Sequence, residues 1–188
     1  KKGLNSPLLR GKWDLTEGGI RVPFAILGPG IAANSQTDTP VISYDFLPTF
    51  ADLAGSTQHL PDQLDGGSFR SLLSDPNASV QRPFDGLVFH FPHYNRVGIN
   101  EPHSALRLGD YKLIEFPASN RRLLFNLKND IGESTDLSKT EPTITNQLAT
   151  KLNDYLDSVG AEQPKDSGSW SRIGEDGDVR SHFFKRYQ

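Results

Sequence analysis

The chain has 188 residues, 35% of them hydrophobic, which supports one compact core with a second small layer, so one to two domains are expected. Its 20 basic side chains nearly balance 23 acidic ones, and a net charge of -3 gives no field that would draw in nucleic acid or an anionic membrane. With no cysteine there is no disulfide, thiolate metal site or cysteine nucleophile; no apolar run approaches the ~18 residues of a membrane span, and Lys1-Lys2-Gly3 is not followed by a signal-peptide core.

The stretch from Lys1 to Gly19 is glycine-rich, with few paired apolar residues, and reads as loop. Val22-Pro23-Phe24-Ala25-Ile26-Leu27, closed by Gly28-Pro29-Gly30, predicts a strand buried on both faces of a larger sheet, which requires neighbouring strands. Between Ser43 and Ala54, Phe46, Leu47, Phe50 and Leu53 recur at helical spacing, with Pro48 in the first turn and Gly55 as the stop. A helix with one buried face is predicted there. Gln58 to Arg82 is rich in Pro, Asp, Gly and Ser and reads as a connection, with a domain boundary near Pro83.

Beyond that boundary the apolar period becomes that of strands, over Leu87 to Phe91, Ser104 to Leu108, Tyr111 to Phe116 and Leu123 to Leu127. Gly109-Asp110 is a two-residue hairpin signal, so an antiparallel meander is predicted. Ile144, Leu148, Leu152, Tyr155, Leu156 and Val159 mark one face of a helix, with Thr140 as its cap, Pro142 in its first turn and Gly160 at its end. That helix should cover one face of the meander. From Gln163 onward neither period is present, and an extended tail pinned by Trp170, Phe183, Phe184 and Tyr187 is expected.

Lys12 sits in a glycine-bounded loop just before the predicted buried strand, at a loop end of the kind that often carries function in α/β proteins. Taken alone, such a lysine reads as a solvated surface charge. Arg21 and Glu17 read as a loop-fixing ion pair, and Arg107 and Lys112, which flank the hairpin, as solvated charges on an exposed strand face. His90, His93 and His103 lie close in sequence. On a strand, positions three apart point to opposite faces, so His90 and His93 could serve one metal only if Pro92 ends the strand first. Metal binding, ordinary packing and substrate contact all stay open for these histidines.

The run Gly11-Lys12 followed by Glu17-Gly18-Gly19-Ile20-Arg21-Val22-Pro23 resembles the second signature of the type I sulfatases, in the alkaline-phosphatase superfamily. Asp45-Phe46-Leu47-Pro48-Thr49, Asp52-Leu53-Ala54-Gly55 and Asp65-Gly66-Gly67-Ser68 resemble the family's helix and following loop. Leu87 to Tyr94, Pro102 to Ile114 and Leu124 to Glu133 are similar to its later strands and turns, so the resemblance runs in the family's order from about Leu8 to Val159.

The resemblance implies an α/β fold class: residues 1–82 as the late part of a sulfatase-type α/β domain, 83–160 as an α+β subdomain with a four-stranded antiparallel sheet and one C-terminal helix, and 161–188 as an extended tail. It implies hydrolysis of sulfate esters by the intact protein, on a carbohydrate, with Lys12 in the sulfate pocket as a transition-state stabiliser. His93, Tyr94 and Arg96, with His90 and His103, become candidates to bind the rest of the substrate. The family's formylglycine nucleophile arises from a Cys/Ser-x-Pro-x-Arg motif, which does not occur here. Calcium is expected in the intact enzyme, but no metal ligand is assigned in this chain, which by itself is expected to be inactive. The implied partners are a sulfated carbohydrate and the N-terminal part of the catalytic domain, and the implied location is periplasmic or secreted. A phosphoester or phosphonate hydrolase of the same superfamily, or a non-catalytic binding or structural module, are the alternatives.

Overall fold

The computed structural model describes residues 5–94, 98–99, 101–164 and 186–187. The chain packs as two compact units, Pro23–Leu87 and a larger one in which Lys1–Val22 join Val88–Gln188.

In the larger unit the predicted meander forms. Strands β1 (Leu87–Phe91), β2 (His103–Leu108), β3 (Tyr111–Phe116) and β4 (Arg121–Asn126) make a four-stranded sheet in the order β1-β2-β3-β4. β3 lies antiparallel to both β2 and β4, with Ala105 opposite Ile114 and Ile114 opposite Leu123. The turn from β2 to β3 is the predicted two-residue hairpin, and Gly109 takes the left-handed backbone it requires, with φ 57°.

Alternation along the strands makes both faces of this sheet apolar. One face presents Ala105, Ile114, Phe116, Leu123 and Phe125, all buried in a cluster with Leu9 and Ile99. The opposite face presents Leu106, Leu113 and Leu124, each at 0% exposure. Helix α3 (Pro142–Ser158) packs on β2, β3 and β4 through a stripe of Thr145, Leu148, Ala149, Leu152 and Leu156. Pro142 stands in its first turn as predicted. Glu141, not Thr140, occupies the cap position, and no side chain caps the helix there; the Thr140 hydroxyl donates instead to Leu137 O at 3.2 Å. At the far end Gly160, with φ 60°, lets Ala161 N donate to Leu156 O and close the helix.

The smaller unit is organised around one carboxylate. Asp45, at 0% exposure, accepts from Arg82 Nε at 2.9 Å and Nη2 at 2.6 Å, from Gly67 N at 3.0 Å and from Ile42 N at 2.9 Å. Gly66 and Gly67 are required because a Cβ would lie 2.1 Å from Tyr44 O or 1.9 Å from Gln81 O. Asp45 precedes helix α2 (Phe46–Leu53), whose Thr49 hydroxyl donates to Asp45 O and accepts from Phe69 N.

Two expectations are corrected here. The apolar positions Leu47, Phe50 and Leu53 of α2 are 53%, 57% and 47% exposed, and the buried positions are Pro48 and Thr49, the latter bonded to Asp45 O and Phe69 N. Val22 to Leu27 forms no strand: a strand exists only by pairing, no described segment pairs with it, and Val22 and Leu27 are 79% and 94% exposed.

Replacing Asp45 with alanine leaves the Arg82 guanidinium, only 10% exposed, without its counter-charge and strips two backbone N–H groups of an acceptor. The expected loss of unfolding free energy is about 3 kcal/mol, measured by urea denaturation, whereas Asp45→Asn should lose less because it keeps an acceptor oxygen.

Candidate active site

The loop that carries Lys12 is held from several sides. Leu9 is buried in the sheet cluster, and its carbonyl accepts from the Thr16 hydroxyl and from Gly18 N, each at 2.9 Å. Asn5 Nδ2 donates to the carbonyls of Arg10 and Gly18, both at 3.0 Å. Gly18 and Gly19 belong to the short helix α1 (Glu17–Ile20), and side chains there would collide with the loop: a Cβ would stand 2.4 Å from Leu9 O at Gly18, and 1.9 Å from Asp14 O and 2.7 Å from Gly11 O at Gly19. This close approach explains the glycine pair that follows Glu17.

At the tip, Arg10 and Trp13 bracket Gly11-Lys12 and both have left-handed backbone, with φ 60° and 85°. Such a conformation costs a bulky residue about 1–3 kcal/mol and persists only where surroundings impose it. Asp14, 3% exposed, ties this turn to its surroundings: Oδ2 pairs with Arg10 Nε, and Oδ1 accepts from Ile99 N at 2.6 Å. The Lys12 side chain is exposed, with Nζ 4.9 Å from the centroid of the Trp13 ring. Among the described residues it makes no ion pair.

Two buried anchors tie this loop to the sheet. Leu15 N donates to His103 Nε2 at 3.2 Å, so that nitrogen carries no proton, and Nδ1–H donates to Glu101 O at 2.8 Å. His103 is 1% exposed and stacked on Phe116; burial holds its pKa below the ordinary 6.5, against the pull of the Glu101 carbonyl and Asp14. In the second anchor, Glu17 N donates to Glu133 Oε2 at 2.7 Å, and Lys112 Nζ lies 2.9 Å from both Glu17 Oε1 and Glu133 Oε1.

Lys112 is therefore not a solvated charge. It is 0% exposed, because the face it shares with Ala105 and Ile114 lies under the Lys12 loop. Arg107, its cross-strand neighbour, is half-buried with its Nε enclosed, and burial lowers its pKa. The expected pair of Glu17 and Arg21 is present at 3.5 Å.

The histidines divide between the two faces of the sheet. His90 on β1 contacts Ser104 Oγ through Nδ1 and Glu162 O through Nε2, both at 2.8 Å, so both its ring nitrogens are engaged within the chain. Both nitrogens of His103 are engaged too. His93 is exposed, its ring edge-to-face with Phe91 at 5.6 Å, and Phe91 also meets His103 at 5.8 Å. Tyr94 is half-buried beside it, and Arg96 lies outside the described residues.

Calcium does not fit the described residues. Of the buried carboxylates, Asp14, Glu17, Asp45 and Glu133 are turned toward arginine, lysine or backbone N–H, and Glu101 accepts from the Ser119 hydroxyl at 3.1 Å. Among the described residues no three of His, Asp or Glu converge as a metal site.

The family described as N-sulphoglucosamine sulphohydrolase, C-terminal, matches residues 11–161. A relative named Sulfatase, from Formosa agariphila, is 34% identical over 178 residues, or 89% of this chain. The chain belongs to the sulfatase family, as a C-terminal portion. It spans 32% of the length of the Formosa sulfatase. The crystal structure of Ps i-CgsB in complex with k-i-k-neocarrahexaose matches 95% of this chain and 39% of its own, with a TM-score of 0.68 and 25% identity. The structure of BT1596, a 2-O GAG sulfatase, matches 70% of this chain and 28% of its own, with a TM-score of 0.52 and 26% identity.

In this sulfatase chain, sequence reasoning singled out Lys12 and Glu17 but missed Asp14, Lys112 and Glu133 as parts of the loop's support. For Lys112 a signal was present: positions 112, 114 and 116 share a strand face, and Ile114 and Phe116 mark that face as the inward one.

The neutral imidazole of His103 gives stability a pH dependence. Unfolded histidine takes up a proton near 6.5, whereas the folded ring does so only at lower pH, so the unfolded state binds more protons as pH falls below 6.5. Stability from this group is complete above that value and is lost below it. Unfolding free energies of the wild type and His103→Gln should differ most at pH 7.5, and the difference should shrink toward pH 5 by up to about 1.4 kcal/mol per pH unit. A difference independent of pH would mean that the ring is not held neutral.

Proposed function

We propose that this chain serves a sulfatase that hydrolyses sulfate esters of a carbohydrate, with Lys12 as a charge donor to the sulfate group. The observation that carries this reading is the loop geometry: left-handed residues on both sides and buried anchors beneath present one exposed ammonium, outside any ion pair among the described residues, at a fixed place. As the ester bond to the alcohol breaks, charge grows on the non-bridging and leaving oxygens, and an ammonium already in position stabilises it without reorganising. The names of the relatives favour sulfate over phosphate esters, and the neocarrahexaose held by Ps i-CgsB and the GAG named for BT1596 support a sugar as the alcohol part.

The formylglycine nucleophile and the calcium are assigned to an N-terminal part of the enzyme, so this chain by itself is inactive. Phe24, Leu27, Leu47, Phe50 and Leu53, all exposed on the smaller unit, offer an apolar surface on which that part can dock. No helix of the described residues is long and apolar enough to cross a membrane. A sulfated carbohydrate as substrate favours a periplasmic or secreted location for the enzyme.

For the sugar, His93 and Tyr94 are assigned as contacts, with Arg96 of the same stretch. The exposed imidazole supplies hydrogen bonds and the phenol a stacking surface. The stretch is joined to the Lys12 loop: Ile99 N binds Asp14, and His103 binds the backbone of Leu15. His90 and His103, their nitrogens engaged within the chain, shape this end of the sheet and act on the sugar only through their neighbours.

In the intact enzyme Lys12→Ala should lower kcat by about 100-fold or more with the fold preserved, since losing one oriented donor removes about 3 kcal/mol of transition-state stabilisation. An unchanged kcat in a folded variant returns Lys12 to the role of a surface charge. His93→Ala should reduce kcat/KM on a sulfated oligosaccharide while leaving a small aryl sulfate nearly unaffected, because only the larger substrate reaches that far. Equal losses on both substrates would rule out a distal sugar contact.

A further inference from the structure

The buried charges under the loop are an uneconomical way to hold it. Lys112 at 0% exposure bridges two carboxylates exposed to 1% and 0%, drawn from β3, from α1 and from the turn after β4. Burial drives the Glu133 carboxyl upward in pKa in spite of the adjacent ammonium, so the arrangement is costly to keep ionised. Apolar side chains of similar volume commonly stabilise a core as well as a buried ion triad does. What apolar side chains do not supply is direction: an ion triad with a backbone N–H in it fixes where each element lies.

The element fixed here is α1. Glu17 places its carboxylate on Lys112 and its N–H on Glu133, and the next two residues form the floor of the Lys12 loop. Gly18 N holds Leu9 O, and Gly19 lies so close to Gly11 O and Asp14 O that any tilt of α1 moves the backbone on both sides of Lys12. Glu133 is itself held, its carbonyl accepting from Tyr187 Oη at 2.8 Å and its backbone left-handed at φ 50°.

We infer that Lys112 is a positioning residue for catalysis, setting the Lys12 ammonium through Glu17, Gly18 and Gly19. The inference rests on the assignment of Lys12 as the sulfate charge donor. A donor displaced by a fraction of an ångström still meets a bound sulfate but no longer matches the transition state, so the loss falls on kcat and spares KM.

The test is a double-mutant cycle in the intact sulfatase on a small sulfate ester, using Lys12→Ala, Lys112→Met and the two combined. Lys112→Met should lower kcat about tenfold with KM within about twofold, and should lower it by less than about twofold when Lys12 is already alanine. The same factor in both backgrounds, or no loss in either, overturns the positioning role while the effect of Lys12→Ala stands. A Lys12→Ala enzyme with full kcat overturns the assignment of Lys12 itself, and the positioning role with it. If Lys112→Met does not fold, Glu17→Gln, which keeps the shape and weakens the pull on Lys112, is carried through the same cycle: coupling to Lys12 supports the inference, and equal factors refute it.

Discussion

A sheet that is apolar on both faces needs two covers, and in this protein they are of different kinds. α3 covers one face with a helical stripe whose backbone hydrogen bonds are closed within the helix. Irregular chain covers the other, with Leu9 and Ile99 over Ala105, Ile114 and Phe125. Irregular chain brings its own N–H and C=O groups under cover, and each needs a partner there. That constraint explains why His103, Asp14 and Glu133, all nearly free of solvent, receive backbone N–H groups from Leu15, Ile99 and Glu17.

Both units meet the same constraint with a buried carboxylate. In the smaller one Asp45 gathers two backbone N–H groups and the fork of Arg82, a planar guanidinium that matches both carboxylate oxygens. In the larger one the cation is Lys112, a point charge able to serve two carboxylates at once but not to fix the plane of either. Direction there comes from the backbone, through the bond from Glu17 N to Glu133 and the glycine contacts of α1. The Asp45 cluster closes on itself, whereas the Lys112 cluster reaches the loop that carries Lys12.

The meander, its hairpin and both longer helices were legible in the sequence because each rests on a local period or turn signal that tertiary packing then reinforced. Gly109 in the hairpin and Pro142 in the first turn of α3 are such cases. Burial of the opening loop was not legible, since its hold on the sheet depends on hydrogen bonds between residues some ninety positions apart, such as Leu15 with His103. The same blindness made Lys112 look solvated: a lysine in a strand is ordinary unless it is known that a loop lies over it. Leu47, Phe50 and Leu53 show the converse, a correct helical period whose apolar stripe is left exposed by the described residues. Of the candidate site, the loop position of Lys12 and the pairing of Glu17 with Arg21 were readable, and the support beneath them was not.

The exposed tip of the loop has its own physical logic. A lysine side chain carries about 2 kcal/mol of rotamer entropy, which a flexible ammonium must give up when it engages a substrate anion. Trp13, with its left-handed backbone, holds an indole 4.9 Å from Lys12 Nζ and narrows that freedom, and among the described residues no carboxylate pairs with the ammonium. An arginine pair or a carboxylate in the place of Trp13 would either repel the ammonium or neutralise it. An aromatic ring attracts the cation weakly enough to release it, by about 0.5–1 kcal/mol at an exposed site. The left-handed turns at Arg10 and Trp13 thus stand on either side of Lys12, and Asp14 below, bonded to Arg10 and to Ile99 N, ties the loop down in that shape.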